Sequence, residues 1–139
     1  VRFQIVGRNP GPGVSALTEL PHVEVHANVP DVGVYLEQAS MLAVPLDSGG
    51  GTRLKILEAF AAGLPVVSTV VGCEGIDCRH GEHLWVTERD QFAEGLLEAI
   101  EAPELATEFA ERGSQLAEEA YDRSAIGKLA CTAVAEAVR

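Results

Sequence analysis

Basic residues are scarce in this chain. Its 139 residues include 10 lysines and arginines against 21 aspartates and glutamates, a formal net charge of -11 at pH 7. The acids concentrate between Glu82 and Glu119. A nucleic-acid partner needs a basic face to displace counterions from the phosphate backbone, so this balance argues against one. Cysteine is also scarce. The 3 present (Cys73, Cys78 and Cys131) form an odd set without a disulfide framework, which fits a reducing cytoplasm. No apolar run has the length of a membrane span, and the first residues show no charged-then-apolar leader pattern. Internal repeats and low-complexity linkers are absent. The breaker-rich loop from Gly7 to Gly13 lacks the GxGxxG spacing, which weakens a nicotinamide or flavin reading.

What is present is an alternation of short apolar runs and helical patterns. Strands are expected over Val1–Val6, Val23–His26, Met41–Val44, Pro65–Thr69 and His83–Val86, with helices over Val14–Leu20 and Val32–Ala39 and irregular chain from Val70 to Glu82. Three helices follow: Asp90–Ile100 with Phe92, Leu96, Leu97 and Ile100 on one face, Pro103 to about Ala120, and a last one capped by Asp122 or Ser124 and running to Val138. Near-continuous apolar strands between helices indicate an α/β fold, a Rossmann-like parallel sheet covered on both faces. The length suits one domain over residues 1–139. Ligands of such sheets bind where strand ends open into helices.

One such opening carries most of the chemistry. Ser48-Gly49-Gly50-Gly51-Thr52-Arg53-Leu54-Lys55 leads from a buried strand into a helix that ends at Gly63-Leu64-Pro65. A helix N-terminus has unpaired amides and partial positive charge, so Asp or Glu is preferred in its first turn. Arg53 and Lys55 oppose that preference and make sense if an anion sits at the glycine turn. Glu58 lies one helical turn beyond Lys55 on the same face. The other helix residues, Leu54 to Ala62, are apolar nearly all round, as in a helix wedged into a core, where a carboxylate needs donors. The plainer reading is a Lys55–Glu58 surface pair. A carboxylate accepting from ribose hydroxyls beside cations on phosphates accounts for more of the segment.

Other polar residues read as ordinary. Cys73, Cys78, His80 and His83 cluster in sequence, but their spacing matches no tight zinc pattern. Arg8 reads at least as well as an exposed loop arginine as a group reaching a phosphate, Trp85 reads as core beneath the C-terminal helices, and His22, His26 and His80 as surface or satisfied side chains. Glu74 reads equally as a loop carboxylate and as a group near a bound sugar.

In order along nearly the whole chain, these segments resemble the C-terminal, donor-binding half of group 1 glycosyltransferases, retaining enzymes of the GT-B class. Carrying the resemblance are Phe3-Gln4-Ile5-Val6-Gly7, Val23 to Asp31, Tyr35 to Ala39, Ala43-Val44-Pro45, Gly72 to Ile76 and Gly81 to Leu84, with Lys55 to Val67 the strongest block. The resemblance implies that Glu58 holds the ribose hydroxyls of a UDP- or GDP-linked sugar. Arg53, Lys55 and the amides of Gly50, Gly51 and Thr52 would face the diphosphate, and the backbone near Val29 would meet the base. It implies no metal and no cofactor beyond the nucleotide-sugar substrate, and sugar transfer with retained configuration. It also implies an acceptor domain N-terminal to Val1, without which these residues would not turn over, and a cytoplasmic site of action that includes the inner face of the membrane, in polysaccharide or glycolipid synthesis. Many members carry a second glutamate where this chain has Gly50, with Asp47 or Ser48 as the nearby substitutes. Because the family's donor domain opens with a strand and helix before Val1, the sheet is expected to lack a central strand and to expose an edge open to self-association.

Two readings from other classes stand beside this one. A nucleotide-sugar epimerase of the same architecture would need acid/base groups clustered at the cleft, and beyond Glu58 and Asp47 no convincing set is visible. A receiver-like regulatory module would use Asp47 near a strand end but leaves the glycine run without a role.

Overall fold

A computed structural model of the chain describes residues 1–127 together with Cys131 and Glu136. The backbone forms two compact units, Val1–Gln38 and Ala39–Arg139.

In the first unit, β1 (Phe3–Gly7) and β2 (Val23–Ala27) pair in parallel, with Phe3 opposite Val23 and Gly7 opposite Ala27. The expected helix over Val14–Leu20 begins earlier, as the single turn α1 (Pro12–Ser15), and continues as a 3-10 turn over Ala16–Glu19. Pro12 suits the first turn, where its missing N–H costs nothing, while Gly11 and Gly13 weaken any longer helix. After β2, Asn28 turns the chain at φ 55, and the Asp31 carboxylate accepts from the Gly33 amide at 2.8 Å to open α2 (Gly33–Gln38). No residue from Val1 to Gln38 is fully buried.

The second unit holds the core. Its strands β3 (Leu42–Val44), β4 (Val66–Thr69) and β5 (Trp85–Thr87) are all parallel, in that spatial order. The five strands of the described residues are all parallel, two in the first unit and three in the second, as the Rossmann-like α/β reading expects. The helices are α3 (Leu54–Ala61), α4 (Val70–Cys73), α5 (Phe92–Glu101) and α6 (Pro103–Leu116). Pro103 starts α6 as its sequence position implies, and a π-helical turn over Ala117–Tyr121 follows it. Residues 123–127 are helical, and Asp122 supplies the cap by accepting from the Ser124 amide at 3.1 Å. The remainder of that helix, expected to reach Val138, lies outside the described residues.

β4 is buried along its whole length, as a central strand covered on both faces must be. Val67, Trp85, Phe92 and Phe109 pack together, and the Trp85 and Phe109 rings meet at 4.4 Å, so Trp85 is core beneath the C-terminal helices. Two expectations need correction. α3 is not wedged into the core on all sides: Ile56, Ala59 and Phe60 are buried while Leu54, equally apolar, is 59% exposed, giving a helix with one buried face. On α5 the core face is Phe92, Gly95 and Ala99, and Leu97 and Ile100 are exposed. Gly95 sits on that face because a Cβ there would collide with the Thr87 side chain on β5. The segment taken as irregular from Val70 also contains the turn of helix α4, which Thr69 caps by accepting from the Gly72 amide at 3.1 Å.

Candidate functional site

The glycine loop leaves the carboxyl end of β3 and enters α3. Val44 ends the strand fully buried, and Pro45 cannot extend the ladder. Gly51 takes φ 87, a left-handed conformation suited to glycine, and so lets the loop reverse into the helix. Arg53 is the N-cap of α3, and its carbonyl accepts from the Ile56 amide at 3.0 Å. The amides of Leu54 and Lys55 precede that first bond, so they belong to the set a helix start leaves open, and no side chain caps them.

The charged residues of the motif separate into distinct environments. Lys55 and Glu58 are both exposed, and among the described residues they form no ion pair with each other or with another side chain. The surface-pair reading therefore has no contact behind it. Arg53 is the opposite case: its side chain is 6% exposed and turned back on the loop. Its guanidinium donates to the Gly49 carbonyl at 3.0 Å, the Gly50 carbonyl at 3.5 Å and Glu74 Oε2 at 3.5 Å. Gly50, Gly51 and Thr52 are exposed along the loop. Asp47 pairs with Arg89 at 2.8 Å, so it is held toward the segment after β5. Val29 is half-buried and follows β2 in the first unit.

Two residues of this region went unrecognised from sequence. Thr69, at the end of β4, donates to the Leu46 carbonyl at 2.6 Å while capping α4, which ties the loop after β3 to the helix after β4. A threonine between a buried strand and Val-Val-Gly is a legible cap signal. Arg89 had no signal, because its partner Asp47 is remote in sequence. Gly72 packs so closely that a Cβ would collide with Ser68 Oγ and approach the Val44 carbonyl, so it keeps α4 against the end of β3.

The Cys/His cluster behaves as local structure. His80 Nδ1 accepts from the Val86 amide at 3.0 Å and His83 Nδ1 from the Arg79 amide at 3.2 Å. Among the described residues no group of three or more His, Cys, Asp or Glu side chains is placed to hold a metal ion. Cys73 Sγ donates to the Thr69 and Val70 carbonyls, each at 3.5 Å. The neighbouring Cys78 thiol, helped by the Arg53 charge, lowers the Cys73 thiol to about 7, and Cys78 is pushed up.

A cavity of about 660 Å³ lies at the amino ends of β3 and β4, away from the glycine loop, lined in part by Ser40, Gly63, Pro65, Glu111 and Glu118. It is wide open and carries two carboxylates and no cation, so it repels the anion that the glycine loop suits.

Parallel strands that feed helices, with a glycine loop entering a helix at a strand's carboxyl end, define a Rossmann-like α/β class of nucleotide-binding folds. The profile of the family described as Glycosyl transferases group 1 matches residues 1–102, and the chain belongs to that family. Among solved structures, HepE from Anabaena, in complex with UDP and glucose, superposes with a TM-score of 0.80 at 18% identity, covering 97% of this chain and 40% of that one. The C-terminal domain of a group 1 glycosyl transferase, LpcC from Francisella tularensis, gives 0.66 at 16% identity and covers 87% of both chains. Sucrose-phosphate synthase from Thermosynechococcus elongatus gives 0.75 at 19% identity, covering 96% of this chain and 38% of that one. These likenesses establish the fold as that of the C-terminal half of a GT-B enzyme, and the chain spans about 40% of the length of HepE. No curated protein matches the sequence. Among the described residues no helix is long and apolar enough to cross a membrane.

Proposed function

We propose that this chain is the donor-binding part of a retaining glycosyltransferase, holding a UDP- or GDP-linked sugar at the glycine loop for transfer to an acceptor bound outside these residues. The observation that carries the reading is the placement of Lys55 and Glu58: a cation and a carboxylate, exposed, without an ion pair among the described residues and on one face of α3, directly beside its open N-terminal amides. In this reading Lys55 and the amides of Gly50, Gly51 and Thr52 take the diphosphate, Glu58 accepts from the ribose hydroxyls, and the Val29 backbone meets the base. HepE, solved with UDP and glucose, shares the fold.

The chemistry follows from charge. Sugar transfer builds negative charge on the departing diphosphate, and a fixed cation with oriented amides stabilises that charge without reorganising at the moment of reaction. The site therefore needs no metal for this task. Gly50 stands where many family members carry a glutamate, and Asp47 is engaged by Arg89, so donor-sugar contacts come from other residues.

Titration with UDP, GDP and uridine tests the reading. Lys55→Ala should weaken UDP about tenfold or more, the scale of a charge-assisted hydrogen bond, and leave uridine unchanged. Glu58→Ala should weaken UDP and uridine alike. Equal loss of uridine in Lys55→Ala, or no loss of either ligand in Glu58→Ala, would contradict the assignment.

A further inference from the structure

Arg53 and Lys55 are the cations of the glycine motif, and the structure separates them completely. Lys55 is exposed; the Arg53 side chain is 6% exposed, with its Nε buried and without a hydrogen-bond partner among the described residues. A guanidinium withdrawn from water is costly unless its donors are matched. Here the matching acceptors are two successive loop carbonyls, Gly49 and Gly50, and one long contact to Glu74, a carboxylate that is itself 73% exposed.

We propose that Arg53 is a positioning residue and not an anion ligand: its buried guanidinium folds back on the Gly49 and Gly50 carbonyls to fix the glycine loop, and Glu74 joins this clasp from the segment after α4. The assignment rests on the donor-site reading for its purpose, because the loop it holds is the one whose amides face the diphosphate. Geometry favours arginine for the task. The planar fork bonds the carbonyls and the carboxylate at once, whereas a lysine ammonium on a flexible stem cannot span them. The clasp also has a second tie in parallel, since Thr69 donates to the Leu46 carbonyl at 2.6 Å. The loop after β3 is thereby anchored at both of its ends to the segment that begins at the end of β4.

This division of labour separates charge from shape. Keeping the charge while losing the fork, as in Arg53→Lys, is expected to free the loop.

The test is performed on the 139-residue chain by 15N relaxation, without ligand, and by UDP and uridine titration. In the wild type the amides of Gly49, Gly50 and Gly51 should show rigid order parameters, about 0.85, falling below about 0.6 in Arg53→Lys and Arg53→Gln. Glu74→Gln, an exposed change that leaves the fold intact, should lower the same order parameters by a smaller amount and weaken UDP about threefold. Arg53→Lys should weaken UDP about tenfold or more while sparing uridine. Unchanged loop order in Glu74→Gln, or wild-type UDP affinity in Arg53→Lys, would overturn the clasp. A wild-type chain that binds no UDP but shows a loop loosened by both Glu74→Gln and Arg53→Lys would refute the donor-site reading and support the clasp.

Discussion

Residues Val1–Gln38 and the unit that begins at Ala39 are built from the same alternation of parallel strand and short helix, yet they bury their side chains very differently. Every fully buried side chain, from Val44 to Ala117, belongs to the second unit, while the first has none. A two-stranded sheet cannot enclose a core by itself. β1 and β2 therefore show half-buried patterns, where β4, flanked by β3 and β5, is buried throughout. The position of the candidate site follows from the same contrast. Lys55 and Glu58 stand on α3, whose other face (Ile56, Ala59, Phe60) is locked into the core, so their placement is as firm as the core itself.

The largest expected effect tests that contrast directly. Phe60→Ala should lower the stability of the second unit by about 3–5 kcal/mol, read in urea by the fluorescence of Trp85, the chain's single tryptophan. Ile5→Ala, at a half-buried position of β1, should shift the same transition by less than about 0.5 kcal/mol. Equal shifts would show that the units unfold together and would dissolve the comparison.

A smaller effect probes the contact of α6 with α3. A Cβ at Gly113 would stand 2.6 Å from the Phe60 ring, so Gly113→Ala should cost about 1–3 kcal/mol by overpacking. No change in the Trp85 transition would mean that the helices separate freely.

The smallest effect is one of reactivity. The neighbouring Cys78 thiol favours the Cys73 thiolate, which places the Cys73 thiol at about 7. Because the folded value lies below that of an ordinary thiol, Cys73 alkylation should already be half-maximal near pH 7. Cys78→Ala removes that stabilisation, so the inflection should move to higher pH. Movement to lower pH would contradict the thiol pair.

The strands and the glycine turn into α3 were legible in the sequence because each β-strand is a short apolar run bounded by Gly, Pro or polar residues, and because Gly-Gly-Gly-Thr-Arg before a helix opposes the usual acidic first turn. The start of α6 was legible from Pro103 alone. Other features depend on tertiary contact. Nothing in a single sequence distinguishes the cation that folds back, Arg53, from the one left in solvent, Lys55, since both lie in the same motif. The apolar look of α3 also misled. Leu54 and Ala61 match the core residues in polarity, but only the packing shows which face meets β4. The pairing of Asp47 with Arg89 and the Thr69 bond to Leu46 join segments distant in sequence, and periodicity carries no record of such contacts.

The central claim is that the open amides and exposed charges at the start of α3 receive a nucleotide diphosphate. Amide shift mapping during a UDP titration tests it most directly. The account predicts that the largest shifts fall on Gly50, Gly51, Thr52, Leu54 and Lys55, with none at Gly63, Leu64 or Ser114 around the acidic cavity at the amino ends of the strands. Shifts centred on that cavity, with a silent glycine loop, would contradict it.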